Sequence, residues 1–207
     1  MKAKIRIPDT VKDMTVDHLP FYMALAELAP EDGHFNDTIL QDMDPTEVAD
    51  LNTLFFREVP GSFDIYTKKA NKKILAEIAK SCASYDPGEI VPEYEIDGVK
   101  YVWQPDYSKQ PVSFHRDIAN ADFREHPLDL VAFCYVEEGM MYNELDKKTK
   151  AIKNPHRERG EKFREHINLN DYLDLQGFFL ESYSVLRPYL KLKAARKSLR
   201  SGSGKRV

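Results

Sequence analysis

The sequence predicts a mainly α-helical domain carrying one β-hairpin at about residues 93–103, and three observations predict it. Apolar residues recur three and four apart through most segments, two alternating runs flank Asp97-Gly98, and proline or glycine punctuates the joins. The elements follow in order.

Lys4 to Pro8 alternates polar and apolar residues and ends at a proline, which suits a short N-terminal edge strand or an extended arm. Leu19, Tyr22, Met23, Leu25, Ala26 and Leu28 then have helical spacing, with Thr15 as the expected N-cap. Pro20 is compatible with this helix because its missing N–H falls in the first turns, where no intrahelical partner exists. After a break at residues 31–37, a second helix begins near Asp44-Pro45-Thr46, carries Val48, Leu51, Leu54 and Phe55, and stops at Pro60-Gly61. A third is expected from about Ser62 to Ser84, with Ile65, Ile74, Leu75, Ile78 and Cys82 on its apolar face and Lys68-Lys69 on its basic one.

At Tyr85-Asp86-Pro87-Gly88 the character changes. Tyr94 and Ile96 alternate with Glu93, Glu95 and Asp97, and Val99, Tyr101 and Trp103 alternate beyond Asp97-Gly98, a pair suited to the positive φ of a type I′ turn. An isolated two-stranded hairpin is marginal in water, so the aromatic face of Tyr94, Tyr101 and Trp103 has to rest on helices or on a partner.

Beyond a proline-punctuated loop, Val112 starts a helix expected to run through Arg124, and His126-Pro127 starts another with Leu128, Leu130, Val131, Phe133, Cys134 and Tyr135. The second is apolar nearly all round, which places it in the core, and Gly139 is its expected end. Residues 143–164 are highly charged and read as a solvated loop or a surface helix beginning near Asn154-Pro155. Asn170-Asp171 is the expected cap of a long helix with Tyr172, Leu173, Leu175, Phe178, Phe179, Tyr183, Leu186, Tyr189 and Leu190, kinked or split at Pro188. Residues 1–190 thus read as one helical domain and 191–207 as a basic flexible tail.

Composition narrows the functional classes. Hydrophobic residues at 42% and charged residues at 31% are those of a folded globular protein, and no stretch approaches the roughly 20 apolar residues of a membrane span. No leader peptide is recognisable behind Met1, so the expected location is the cytoplasm. Cys82 and Cys134 sit in apolar-periodic segments with no CxxC, and read as buried free thiols. Phosphate loops, dinucleotide fingerprints and nucleophile elbows are missing from the sequence, so no cofactor is expected.

Two constellations remain. Glu158, Glu161, Glu165 and His166 on one expected helix form a carboxylate-plus-imidazole set that would ligate a metal only if Asp171 or Glu137-Glu138 faced it, whereas interleaved Arg157, Arg159, Lys162 and Arg164 make surface ion pairs the simpler reading. The tail holds Lys191, Lys193, Arg196, Lys197, Arg200, Lys205 and Arg206 and no acid. Nucleic acid is one partner for it, an acidic protein surface another, and solvent a third. The remaining 23 basic residues face 34 acidic ones, a formal charge of −11 that repels a polyanion.

The order of elements resembles the small helical assembly proteins of tailed bacteriophages, the tail assembly chaperones and baseplate-hub assembly proteins. The matching pieces are Ile5 to Pro8 before Met14-Thr15-Val16, the hairpin Tyr94 to Trp103, the run Leu130 to Tyr135 before Glu137-Glu138-Gly139, and Gly177 to Leu180. The resemblance implies a non-enzymatic role in the host cytoplasm or the virion, binding tail, tape-measure or baseplate proteins. Partner-binding residues expected on this reading are Tyr94, Tyr101, Trp103, Phe178 and Phe179, with Lys191, Lys193, Arg196, Lys197 and Arg200 of the tail. The charged segment 146–164 and the tail match nothing in the family pattern.

Overall fold

Asp97 and Gly98 adopt φ of 53° and 73°, the tight turn their sequence predicts, and join strand β1 (Glu93–Ile96) to β2 (Val99–Trp103). The computed structural model describes residues 5–29, 35–123, 125–149 and 151–182. Tyr94 pairs with Tyr101 and Ile96 with Val99, so the apolar positions share one face. On the other, Lys100 meets Glu93 at 2.7 Å and Glu138 at 3.5 Å. A third strand, β3 (Tyr135–Glu137), pairs antiparallel with β2 through Tyr101↔Glu137 and Trp103↔Tyr135. The expected hairpin is therefore two-thirds of a sheet ordered β1-β2-β3.

The helices are α1 (Leu19–Leu28), α2 (Asp37–Asp42), α3 (Pro45–Phe56), α4 (Lys68–Cys82), α5 (Val112–Ala119), α6 (Pro127–Cys134), α7 (His156–Lys162) and α8 (169–182). Local chemistry explains where they depart from expectation. Thr15 and His18 cap a 3-10 turn, Val16–His18, that feeds directly into α1, instead of Thr15 capping α1 itself. The short α2 starts where the Asn36 side chain accepts from the Thr38 and Ile39 N–H groups. Thr67 caps α4, so residues 61–66 are turns and Ile65 is 84% exposed, off the apolar face assigned to it. Helix α5 stops at Ala119, short of the expected Arg124. The cap of α8 is Asn168, not Asn170-Asp171: its Oδ1 accepts from the Asp171 N–H while its amide donates to the Asp171 carboxylate. Ile5 to Pro8 joins no strand, which leaves the extended arm of the two alternatives, and the Pro8 carbonyl accepts from Ser81 Oγ at 2.6 Å.

One core runs from Val11 and Phe21 through Ile78 and Tyr101 to Phe163 and Leu175. Helix α6 is buried from Leu128 to Cys134, as its nearly all-round apolarity predicts, but it ends at Cys134, not at Gly139, because Tyr135 already pairs in the sheet. Cys82 and Cys134 are buried and free, and burial pushes both thiols up to about 12. Among the described residues no helix is long and apolar enough to cross a membrane.

Helix α7 starts after Pro155 as expected and exposes Arg157, Glu158, Glu161 and Lys162, but one of its charges turns inward. Arg159 is 2% exposed. Its Nη2 and Nε donate to the Ala132 carbonyl at 2.7 and 3.3 Å, its Nη1 to the Asn154 carbonyl at 2.7 Å, and its guanidinium lies over the Tyr142 ring. Ala132 is in the last turn of α6, where carbonyls lack intrahelical donors and the helix dipole favours a cation, so Arg159 meets both needs. Beside it, the backbone of Gly160 approaches that of Leu128 so closely that a Cβ at Gly160 would lie 2.6 Å from the Leu128 carbonyl oxygen.

Candidate docking cleft

The aromatic residues expected to bind a partner make internal contacts. Tyr101 and Phe179 are buried, and Tyr94, Trp103 and Phe178 are half-buried. Tyr94 packs edge-on against Tyr135 and Phe163 and donates through its hydroxyl to Asp171, Tyr101 packs on Phe163, and Trp103 packs on Phe178 at 5.0 Å between centroids. The hairpin's aromatic face therefore rests on the protein's own helices, because α8 and the turn after α7 lie across it. Lys191, Lys193, Arg196, Lys197 and Arg200 lie outside the described residues.

An open concavity lies elsewhere, a cleft of about 1000 Å³. One wall comes from residues 16–20 and α3: Asp17, Asp50, Leu54, then Arg57 and Glu58 just past the helix end. The facing wall comes from the start of α6 and the outer side of α7: Glu125, Asp129, Arg157, Glu158 and Glu161, with Arg164 beyond. Spacing explains both. Residues 50 and 54 lie one turn apart on α3, with Glu58 just beyond its end, and 157, 158 and 161 occupy the side of α7 opposite the buried Arg159 and Gly160.

A chain of charges ties the walls together. Asp17 accepts from Arg57 Nη1 at 2.5 Å and from Arg164 Nη1, and Arg164 also forks onto Glu161 at 2.9 and 3.0 Å. Arg57 has a φ of 55° and ends α3: its N–H donates to the Leu54 carbonyl, and that of Glu58 to the Thr53 carbonyl. An arginine in this left-handed conformation costs about 1–2 kcal/mol relative to glycine. Its guanidinium reaches Asp17 from there.

Asp129 differs from the other carboxylates. Its side chain is only 9% exposed, yet its nearest cationic atom is Arg157 Nε at 3.9 Å, with the His156 ring nitrogen Nε2 at 4.0 Å, and among the described residues no donor comes within hydrogen-bond distance of the carboxylate. It sits in the first turn of α6, where the helix dipole favours a negative charge. Burial holds the His156 imidazole below its ordinary value, against the opposing pull of Asp129 and Asp117.

The carboxylate–histidine set expected on one helix is divided. Glu158 and Glu161 lie on α7 and line the cleft, whereas Glu165 and His166 fall in the exposed turn beyond Lys162. Asp171 is engaged by Tyr94 and Asn168, and Glu137 accepts from Asn154 Nδ2 at 2.5 Å. Among the described residues no three His, Cys, Asp or Glu side chains converge as a metal site.

Sequence reasoning missed Asp17, Asp50, Arg57, Glu58, Glu125 and Asp129, each of which reads as an ordinary surface charge in its own segment. One signal was available: Asp129 is the only charged residue between Leu128 and Val136, an odd choice in a run otherwise apolar. No family model, curated protein or solved structure matches the chain.

Proposed function

We propose that this chain is a non-enzymatic assembly protein of a tailed bacteriophage, binding a tail, tape-measure or baseplate component through the cleft between α3 and the α6–α7 pair. The observation that carries the reading is the lining of that cleft. It has seven carboxylates and three arginines spread along both walls, with Leu54, Pro20, Pro60 and Pro127 between them. That mixture of a charged rim and scattered apolar contacts matches a protein interface. The resemblance of the order of elements to that of tail assembly chaperones and baseplate-hub assembly proteins supplies the biological setting.

Co-expression of the chain with candidate tail and baseplate proteins, followed by size-exclusion chromatography, tests this. A stable complex, weakened by Leu54→Arg in the cleft, is the expected result. Absence of any complex, together with normal virions from a phage lacking the gene, overturns it.

A further inference from the structure

Four carboxylates of the cleft, Asp50 and Glu58 on one wall and Glu125 and Glu158 on the other, are exposed and have no ion-pair partner among the described residues. A segment lying between the walls would meet unpaired negative charge on both sides. On that wall the groups run acid, apolar, acid: Asp50 and Leu54 one turn apart on α3 and Glu58 past the helix end, with Leu54 41% exposed. Deeper in, the buried carboxylate of Asp129 has no hydrogen-bond donor of its own among the described residues. Two turns of an α-helix, about 10 Å across and 11 Å long, displace about 850 Å³. The cleft holds about 1000 Å³.

Building on the docking role above, we propose that the occupant is a lysine- and arginine-rich amphipathic helix of the partner protein. Its apolar stripe covers Leu54 and the prolines, its flanking cations pair with the four exposed carboxylates, and one cation reaches Asp129. Such pairing sets orientation and partner choice, because an acidic or neutral helix would leave those carboxylates facing like charge or nothing.

Fluorescence anisotropy of the full chain with a labelled leucine–lysine amphipathic peptide tests the assignment, with glutamine-for-lysine and glutamate-for-lysine versions as controls. The lysine peptide should bind best and weaken as salt rises. The variant D50N/E58Q/E125Q/E158Q, with an unchanged melting temperature, should bind it about tenfold more weakly. Equal binding of the lysine and glutamine peptides, no binding of either, or an unaffected fourfold variant overturns the proposal. Tighter binding of a peptide of residues 191–207 than of the lysine peptide also overturns it, since the chain's own basic segment would then be the occupant. If an assembly partner found by co-expression binds the fourfold variant undiminished, the basic helix is wrong while the docking role stands; if no partner binds at all, the docking role fails as well.

Discussion

Arg159 and Arg157 lie two positions apart on α7 and experience opposite electrostatics. Arg159 is 2% exposed and divides its donors between two backbone carbonyls, while the side chain of Arg157 is 68% exposed and stands 3.9 Å from Asp129. The same contrast separates the two sides of the helix. On the inside, charge is desolvated, so every donor must be matched and losing the match is costly. On the outside, charges are hydrated, each pair contributes little, and the groups remain available to something else. The helix thus anchors the core with one face and keeps hydrated charge on the other.

The strongest way to break this contrast is Arg159→Ala. It strips the Ala132 and Asn154 carbonyls of their donor and opens a cavity beside Tyr142, and should cost about 3–5 kcal/mol in urea unfolding, with little dependence on salt. Arg159→Met sharpens the result: if it recovers most of the loss, packing volume was the larger part, whereas a persistent deficit assigns it to the orphaned carbonyls. Gly160→Ala comes next. Alanine normally gains about 1 kcal/mol over glycine within a helix. Here its Cβ would lie 2.6 Å from backbone, so a net loss of about 1–3 kcal/mol is expected.

Smaller effects belong to the outer regions. Gly98→Ala should cost about 1 kcal/mol, because φ is 73° at that position although no atom obstructs the new methyl. Asp17→Asn breaks the links to Arg57 and Arg164, whose side chains are 62% and 41% exposed, and should cost less than about 1 kcal/mol, shrinking further in high salt. The smallest is a pH slope. Burial lowers His18 and His156 below the unfolded value of about 6.5, so the unfolded chain takes up protons first as pH falls. Stability from these groups is complete above that value and declines as pH drops from it toward the lowered folded values. Replacing His156 by Gln should flatten the decline in melts between pH 7 and 5.

Local patterning carried most of the fold into the sequence. The Asp97-Gly98 turn, the alternation on both sides of it, the Asp44 cap and the uniform apolarity of α6 are each decided by residues a few positions apart. What escaped was set at longer range. Strand β3 merges into the apolar run of α6, so nothing in Tyr135-Val136-Glu137 separates strand from helix until β2 offers it a ladder. Arg159 looks like any other charge in His156 to Lys162, and its burial is decided by the free carbonyl of Ala132, 27 residues away. The cleft was illegible for the same reason: Asp17 meets Arg164 across a separation of 147 residues. The aromatic pattern of Tyr94, Tyr101 and Trp103 was correctly seen as needing cover, but its spacing says nothing about which surface supplies the cover.

The capped start of α8 also closes the chain on itself, since Leu169 N–H donates to the Met14 carbonyl at 2.8 Å and Thr15 bridges Asn168. During translation at about 5–20 residues per second, residue 14 is made about 10–30 s before residue 169. Over that interval the nascent chain lacks its own segment to dock against Met14 to Asp17, and the wall of the cleft that Asp17 anchors is left half built. The link from Asp17 to Arg164 that joins the two walls therefore forms only after the segment around residues 164–169 has been made.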